Sequence, residues 1–507
     1  MNEKVVELKG ITKVFGTVRA SDNITVSFNY GEVHSLLGEN GAGKSTLMNI
    51  LCGIYQPDSG EIIIRGERAI VRSPRDAISH GVGMIHQHLK LVEDHTVLEN
   101  MIAGQKGSFF IRKSKLEAEI RALCDHYDIQ VDPNTKIKDL SIAEKQRVEI
   151  LKVLYRGARI LILDEPTAVL TPQETQNLFK IIKKMREDNC TILIITHKLD
   201  EVLEISDRIT VLRKGKYIDT LINENLEPRT LTDKMVGKST NLEIVREEVK
   251  PGDNILEVSK IVVYNHENAH ALFDVSFSVK KGEILGVAGV AGSGQKELCE
   301  AIAGLQRVTE GSIRFNGEDL VGKTPRKIID MGISMSFVPE DRLGMGLVSS
   351  MDITDNVLLK EYNRQHGVFL SRKEAKKQAL DLVDKLSIDT PSVDTAVRLL
   401  SGGNIQKVLL GREIETQPEL IITAYPVRGL DVGSAHKVYD LLNVQKQKGV
   451  GVIFVGEDLD VLRAFCDRIM VLCNGKVTGI VDADKVSRED LGYMMAGRHM
   501  DEVMADV

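Results

Sequence analysis

The chain is written twice. "GEVHSLLGENGAGKSTLMNILCGIYQPDSGEIIIRGE" starts at Gly31 and "GEILGVAGVAGSGQKELCEAIAGLQRVTEGSIRFNGE" at Gly282, and an offset of 251 residues holds from Gly31 to Gly66. Further along, "SDRITVLRKGK" answers to "CDRIMVLCNGK" with Asp207 and Asp467 260 residues apart, so the second copy carries nine extra residues. A repeat of roughly 240 residues has the size of a domain. The 507-residue chain therefore divides into a first copy over 1–238, a linker over 239–254 and a second copy over 255–507. The linker stretch, "STNLEIVREEVKPGDN", is polar, charged and broken by a Pro-Gly.

Within each copy, β-rich runs precede a glycine loop, and helical patterns then alternate with apolar strands. "ARILILDEP" and "CTILIITHK" have the length and continuous apolarity of strands buried on both faces of a parallel sheet. Residues from about Asn100 to Tyr155 show helical periodicity and form an inserted helical lobe. The expected fold is α/β, given twice.

The first copy carries a phosphate-binding pattern. "GENGAGKST" (Gly38, Glu39, Asn40, Gly41, Ala42, Gly43, Lys44, Ser45, Thr46) fits G-x-x-x-x-G-K-[ST], in which backbone amides curl round phosphates and a helix dipole points at them. Lys44 is expected on the β- and γ-phosphates and Ser45 on magnesium. "ILILDEP" delivers Asp164 and Glu165 at the carboxyl end of a strand, where open α/β sheets bind ligands. Asp164 suits the metal, and Glu165 suits the proton of an attacking water. Gln87 in "GMIHQH" and His197 in "IITHK" follow apolar runs in the same way and complete the catalytic set, with Gln87 also on the metal. In the second copy "LSGGNIQKVLLGREI" is a Ser-Gly-Gly turn opening a helix, which offers amides and a hydroxyl to an anion.

The loop, "LSGG", "LILDEPTAVL" and the histidine together resemble the ATP-binding cassette ATPases over nearly the whole chain. The resemblance implies two tandem P-loop cassettes, each a mostly parallel sheet with flanking helices, an antiparallel β-subdomain and a helical signature subdomain. It also implies head-to-tail pairing, with each ATP between one cassette's loop and the other's signature turn. Phe15 in "ITKVFGTVRA" would then stack on adenine, and Ser401, Gly402 and Gly403 would meet the γ-phosphate. ATP and Mg2+ are the implied cofactors.

Laying the copies together shows what the second has lost. Gln295 stands at the place of Lys44, Lys296 at that of Ser45, Ala424 at that of Asp164, Tyr425 at that of Glu165 and Glu457 at that of His197. "SFVPEDR" sets Glu340 against Gln87. The first copy's own signature, "LSIAE", has Ile142 and Ala143 for glycines and adds Glu144. All losses fall on one face of a head-to-tail pair. The chain thus supplies parts for one competent ATP site and one defective one, the cassettes pairing within one chain or with a second copy of it.

A net charge of −7 gives no general reason to bind nucleic acid. No apolar run is long enough to span a bilayer, and "MNEKVVELKG" has no apolar signal region. A peripheral place on the cytoplasmic face of the membrane is expected. The six scattered cysteines read as packed thiols. Fused cassettes with one degenerate half look like the ATPases of bacterial importers for nucleosides or ribose- and galactose-type sugars. The nucleoside group is favoured by "GMIHQH", "EILKVLYRGARILILDEPTAVLTPQE" and Gln295.

The implied partners are two permease subunits and an extracellular substrate-binding lipoprotein. The stretches after Gln87 and Glu340, "HLKLVEDHTVLENM" and "DRLGMGLVSSMDITDNVLL", would receive permease helices. The competing classes are a soluble two-cassette ATPase acting on ribosomes or DNA, and a switch that binds ATP without turnover. Tandem cassettes of the first class would both be competent, and the second class has no need of Glu165 or His197.

Overall fold

This computed structural model describes the chain apart from residues 1–2, 17, 87–88, 105–112, 169, 197, 238–243, 266–267, 338–345, 363–369, 429, 431 and 506–507. The chain separates into two compact units, Met1–Asn241 and Leu242–Val507.

In the first unit, β1 (Lys4–Phe15), β2 (Val18–Asn29), β4 (Ser59–Ile64) and β5 (Glu67–Ala69) make an antiparallel sheet in the order β2-β1-β4-β5. A second sheet runs β10-β9-β3-β8-β7-β6, from β3 (Val33–Leu37), β6 (Val82–Ile85), β7 (Ile160–Asp164), β8 (Thr191–Thr196), β9 (Arg208–Arg213) and β10 (Lys216–Ile222). It is parallel except for the β9–β10 edge.

Side chains on a strand alternate between the sheet's faces, and here both faces are covered. Ile160 and Ile162 pack with Ile24, Phe28 and Leu47 on one side. Leu161 and Leu163 pack on the other with the helical lobe, through Leu116, Ile120 and Ile150. That is why "ILILD" carries no polar alternation before its last residue. The lobe contains helices Val97–Ile102, Lys113–Tyr127 and Ile142–Tyr155.

The second unit repeats the plan. β11 (Asn254–Tyr264), β12 (His270–Lys280), β14 (Val308–Phe315) and β15 (Glu318–Asp319) form the antiparallel sheet. The other sheet holds β13 (Ile284–Ala288), β16 (Ile333–Phe337), β17 (Leu420–Ala424), β18 (Gly451–Val455), β19 (Arg468–Cys473) and β20 (Lys476–Asp482). Even its internal anchors recur. Asp207 Oδ2 accepts the Val33 amide at 2.8 Å, and Asp467 Oδ2 accepts the Ile284 amide at 2.8 Å.

Equivalent contacts locate the nine extra residues. The offset is 251 between β6 and β16, which take the same register on β7 and β17. It becomes 256 where Asn100 holds Val92 and Asn356 holds Val348, and 260 at the helices that open after Ser141 and Ser401. Five residues therefore enter just after β16 and four more before helix Lys373–Lys385. The pairing of Glu340 with Gln87 lies outside the described residues.

Residues Val245, Arg246 and Glu247, within the stretch read as linker, are fastened to the rest of the second unit. Arg246 Nη1 donates to the Cys466 carbonyl at 2.8 Å, Asn443 Nδ2 to that of Val245 at 2.7 Å, and Lys446 Nζ to that of Glu247 at 2.6 Å. Its polar composition hid this, because most of the partners are backbone atoms. The six cysteines are free thiols, five of them buried. Among the described residues, no helix is long and apolar enough to cross a membrane.

Candidate nucleotide site

Strand register brings the first unit's chemistry together. Leu37 of β3 lies opposite Thr196 of β8, and Asp164 of β7 lies opposite Ile195, so three carboxyl ends finish level. The loop after Leu37 then turns sharply: Gly41 and Gly43 have φ of 80° and 97°. A Cβ on Gly43 would run into the Ala20 carbonyl, and one on Gly38 into that of Leu212. Only glycine lets the loop lie this close to its neighbours. Helix Lys44–Leu51 follows with no side-chain cap, leaving its first amides available to an anion.

Lys44 is buried, and its Nζ donates to the carbonyls of Gly38 at 2.6 Å and Glu39 at 3.0 Å. Ser45 Oγ reaches Asp164 Oδ1 at 3.5 Å. Glu165 has a φ of 46°, a left-handed conformation uncommon for a side-chain-bearing residue, and its amide donates to the Ile195 carbonyl at 2.9 Å. The structure thus unites Lys44, Ser45, Asp164 and Glu165 around one loop. Gln87 and His197 follow β6 and β8 in sequence but lie outside the described residues.

Burial, then the neighbouring Glu165, pushes the Asp164 carboxyl up from 3.8 to about 6, against the pull of Lys44. Burial likewise lowers the Lys44 ammonium, opposed by Glu165 and Asp164. Two carboxylates sharing one buried ammonium are short of positive charge, which is the deficit a divalent cation fills. Among the described residues no group of three or more His, Cys, Asp or Glu could hold a metal, and the oxygen donors that meet beside the loop are the Ser45 hydroxyl and the Asp164 carboxylate. Phe15, at the end of β1, is 41% exposed and meets Tyr55 edge-on, with Lys13 Nζ 5.5 Å from its ring centroid.

The second unit repeats the scaffold with other side chains. Gly292 and Gly294 have φ of 87° and 105°, and Tyr425 has 55° with its amide donating to the Val455 carbonyl at 2.9 Å. Gln295 Nε2 folds back to the Val290 carbonyl at 3.1 Å, as Lys44 does on its loop. Lys296 reaches Glu300 at 3.8 Å. Arg428 pairs with Glu457 at 3.4 Å and lies 5.7 Å from the Tyr425 ring centroid.

The two Leu-Ser helix starts also differ. Ser141 caps helix Ile142–Tyr155 in a closed box, its amide and hydroxyl both donating to Glu144 Oε2, at 2.8 and 2.7 Å. Ser401 makes no cap bond to helix Gly402–Glu415, and its Oγ accepts from Asn404 Nδ2 at 3.0 Å. Ser401, Gly402 and Gly403 belong to the second unit.

The ABC transporter family model matches residues 21–168 and 272–426, once in each unit. The chain belongs to the ABC transporter family. It is 43% identical over 501 residues to the guanosine import ATP-binding protein NupO of Bacillus subtilis (strain 168), covering 98% of both chains. The nucleoside import ATP-binding protein NupA of Lactococcus lactis subsp. cremoris (strain MG1363) is 39% identical, over 99% of this chain and 100% of its own. The galactose/methyl galactoside import ATP-binding protein MglA of Salmonella typhimurium (strain LT2) is 37% identical, over 98% of each.

The chain thus carries two cassettes of this family, one in each unit. Sequence reading missed two features of them. Arg428 faces the second site where the first copy has Ala168, a difference visible once the copies are laid together. The Glu144 cap is a Ser-x-x-Glu pattern, which a helix start of this kind displays in sequence.

Proposed function

We propose that this chain is the ATP-hydrolysing subunit of a membrane importer for nucleosides. The observation that carries the reading is similarity over essentially the whole chain to NupO and NupA, together with the Lys44–Ser45–Asp164–Glu165 cluster. Ser45 and Asp164, with Gln87, would hold Mg2+, which when bound would supply positive charge to the β- and γ-phosphates. Phe15 stacks on the adenine. Amides of Gly41 to Thr46 and the Lys44 ammonium bind the β- and γ-phosphates. Glu165, with His197, takes the proton of the water that attacks the γ-phosphorus, the bond to the bridging oxygen breaks, and ADP and phosphate result.

One such site is competent, built from the first copy's residues and a Ser401–Gly403 turn supplied by the same chain or by a second copy. The other is degenerate, since Gln295, Ala424 and Tyr425 bring neither ammonium, metal acid nor catalytic carboxylate. The partners are two permease subunits and an extracellular binding lipoprotein, and the chain works at the cytoplasmic face of the membrane.

The test is uptake of labelled guanosine, adenosine, ribose and galactose by cells carrying the natural chain or Glu165→Gln. Nucleoside uptake lost with ATP still bound supports the reading, with turnover down about a hundredfold or more. Loss of sugar uptake alone would move the assignment to the second reading, sugar import, which the 37% identity to MglA favours. No change in any solute refutes import.

A further inference from the structure

The turn that carries Glu165 is held from the exit of the neighbouring strand by a set of polar bonds. Thr167, two residues after Glu165 and 2% exposed, donates its hydroxyl to Glu201 Oε2 at 2.5 Å. Glu201 is buried on helix Leu199–Ile205, which opens just after β8. Its Oε1 accepts from Lys198 Nζ at 3.0 Å, and the same ammonium donates to the Thr167 carbonyl at 3.2 Å. The Lys198 amide in turn donates to Thr196 Oγ1, at the end of β8, at 3.1 Å. Thr167, Lys198 and Glu201 thus close a polar ring between the turn after β7 and the segment after β8.

The second unit keeps the turn and drops the ring. Tyr425 shares the left-handed backbone of Glu165, yet Val427 and Val461 stand at the places of Thr167 and Glu201, both packed against one apolar cluster. Asp458, at the place of Lys198, turns to its own helix and accepts the amides of Asp460 and Val461 at 2.9 and 3.3 Å. A valine pair therefore suffices to form the turn. Enclosing a carboxylate, a hydroxyl and part of an ammonium costs solvation that two valines avoid, so folding alone does not account for the ring. Apolar contact is non-directional, whereas hydrogen bonds fix orientation. Orientation matters in the turn that carries a carboxylate, Glu165, and not in the one that carries a phenol, Tyr425.

We infer that Glu201 is a positioning residue which, through the Thr167 hydroxyl and the Lys198 ammonium, fixes the turn that aims the Glu165 carboxylate at the attacking water. This rests on the role proposed above for Glu165. The effect of Glu201 passes through that carboxylate, so it belongs to the chemical step and not to nucleotide affinity.

The experiment measures phosphate release by the full chain with Thr167→Val and Glu201→Val combined, the pair that the second unit already accommodates. The kcat should fall at least about tenfold, with KM moving less than about twofold and the melting temperature near that of the natural chain. Thr167→Ser, which keeps the hydroxyl, should retain kcat, and Thr167→Ala should lose it. In a Glu165→Gln background the valine pair should cause no further loss, because the group it positions is gone. Should the valine pair not fold, Thr167→Ala against Thr167→Ser carries the same comparison. An unchanged kcat, a change confined to KM, or an undiminished further loss on top of Glu165→Gln overturns the inference. Glu165→Gln alone reports on the underlying role. If it leaves turnover intact, both readings fall; if it stops turnover while the valine pair turns over normally, only the role of Glu201 falls.

Discussion

The two glycine loops have the same backbone and opposite chemistry. Gly43 is pressed against the Ala20 carbonyl and Gly294 against that of Ala271, 251 residues on. Glu165 and Tyr425 share a left-handed turn whose amide bonds the neighbouring strand. Those features are packing, and each unit needs them to close its sheet over its core. Side chains at the mouth of the loop answer only to the ligand, and there the copies part: Lys44 against Gln295, Asp164 against Ala424. Fold and chemistry on one scaffold are separable, and a duplicated domain shows the cut between them.

The largest test of that separation is Lys44→Ala against Gln295→Ala. Losing the buried ammonium should lower ATP turnover about a hundredfold or more, measured as phosphate release, while Gln295→Ala should leave turnover intact. Comparable losses from both would mean that the second loop also hydrolyses. Next come the signature serines. Ser401 makes no cap bond, so Ser401→Arg should abolish turnover and barely alter the melting temperature. Ser141 closes a capping box, so Ser141→Arg should cost about 1 kcal/mol of stability and spare turnover. A reversed pattern would assign the competent signature to the first copy.

Asp164→Asn probes the charge deficit. A carboxyl raised from 3.8 to about 6 is ionised at a cost in the folded, nucleotide-free protein. That cost is complete above pH 6, shrinks as pH falls towards 4, and vanishes below, where folded and unfolded forms both carry the proton. The substitution should therefore stabilise the nucleotide-free protein by roughly 3 kcal/mol at pH 7–8, with no gain near pH 3.5, and should stop turnover. Denaturant unfolding at the two pH values checks the sign. Ala424, the equivalent residue, has no charge to relieve, so Ala424→Ser should show no such pH dependence.

Most of the plan was legible because it depends on backbone demands that glycine and apolar runs record directly. "ILILD" announces a strand buried on both faces, and Gly41 and Gly43 announce the left-handed turns. What stayed hidden depends on partners distant in sequence. Nothing local in "EIVREEV" says that Asn443 and Lys446 will hold its carbonyls. Arg412 resembles any helical arginine until the Gly346 carbonyl is found beside it. The position of the five-residue insertion after β16 likewise needed equivalent contacts, because the sequence around it matches at no fixed offset.

The smallest expected effect lies at Tyr425. Its hydroxyl is pushed up to about 12, by burial first and then by Glu457, so it stays neutral at physiological pH and cannot take a proton from water. Tyr425→Phe should leave turnover unchanged, since the ring that Arg428 covers is retained. Tyr425→Glu, placed in the Lys44→Ala background, is the sharper form. It restores the catalytic carboxylate to the second copy, but Gln295 and Ala424 still supply no ammonium and no metal acid. Turnover in that double variant should remain as low as in Lys44→Ala alone. Recovery would mean that a single side chain separates the two sites, and that the remaining losses in the second copy carry no catalytic weight.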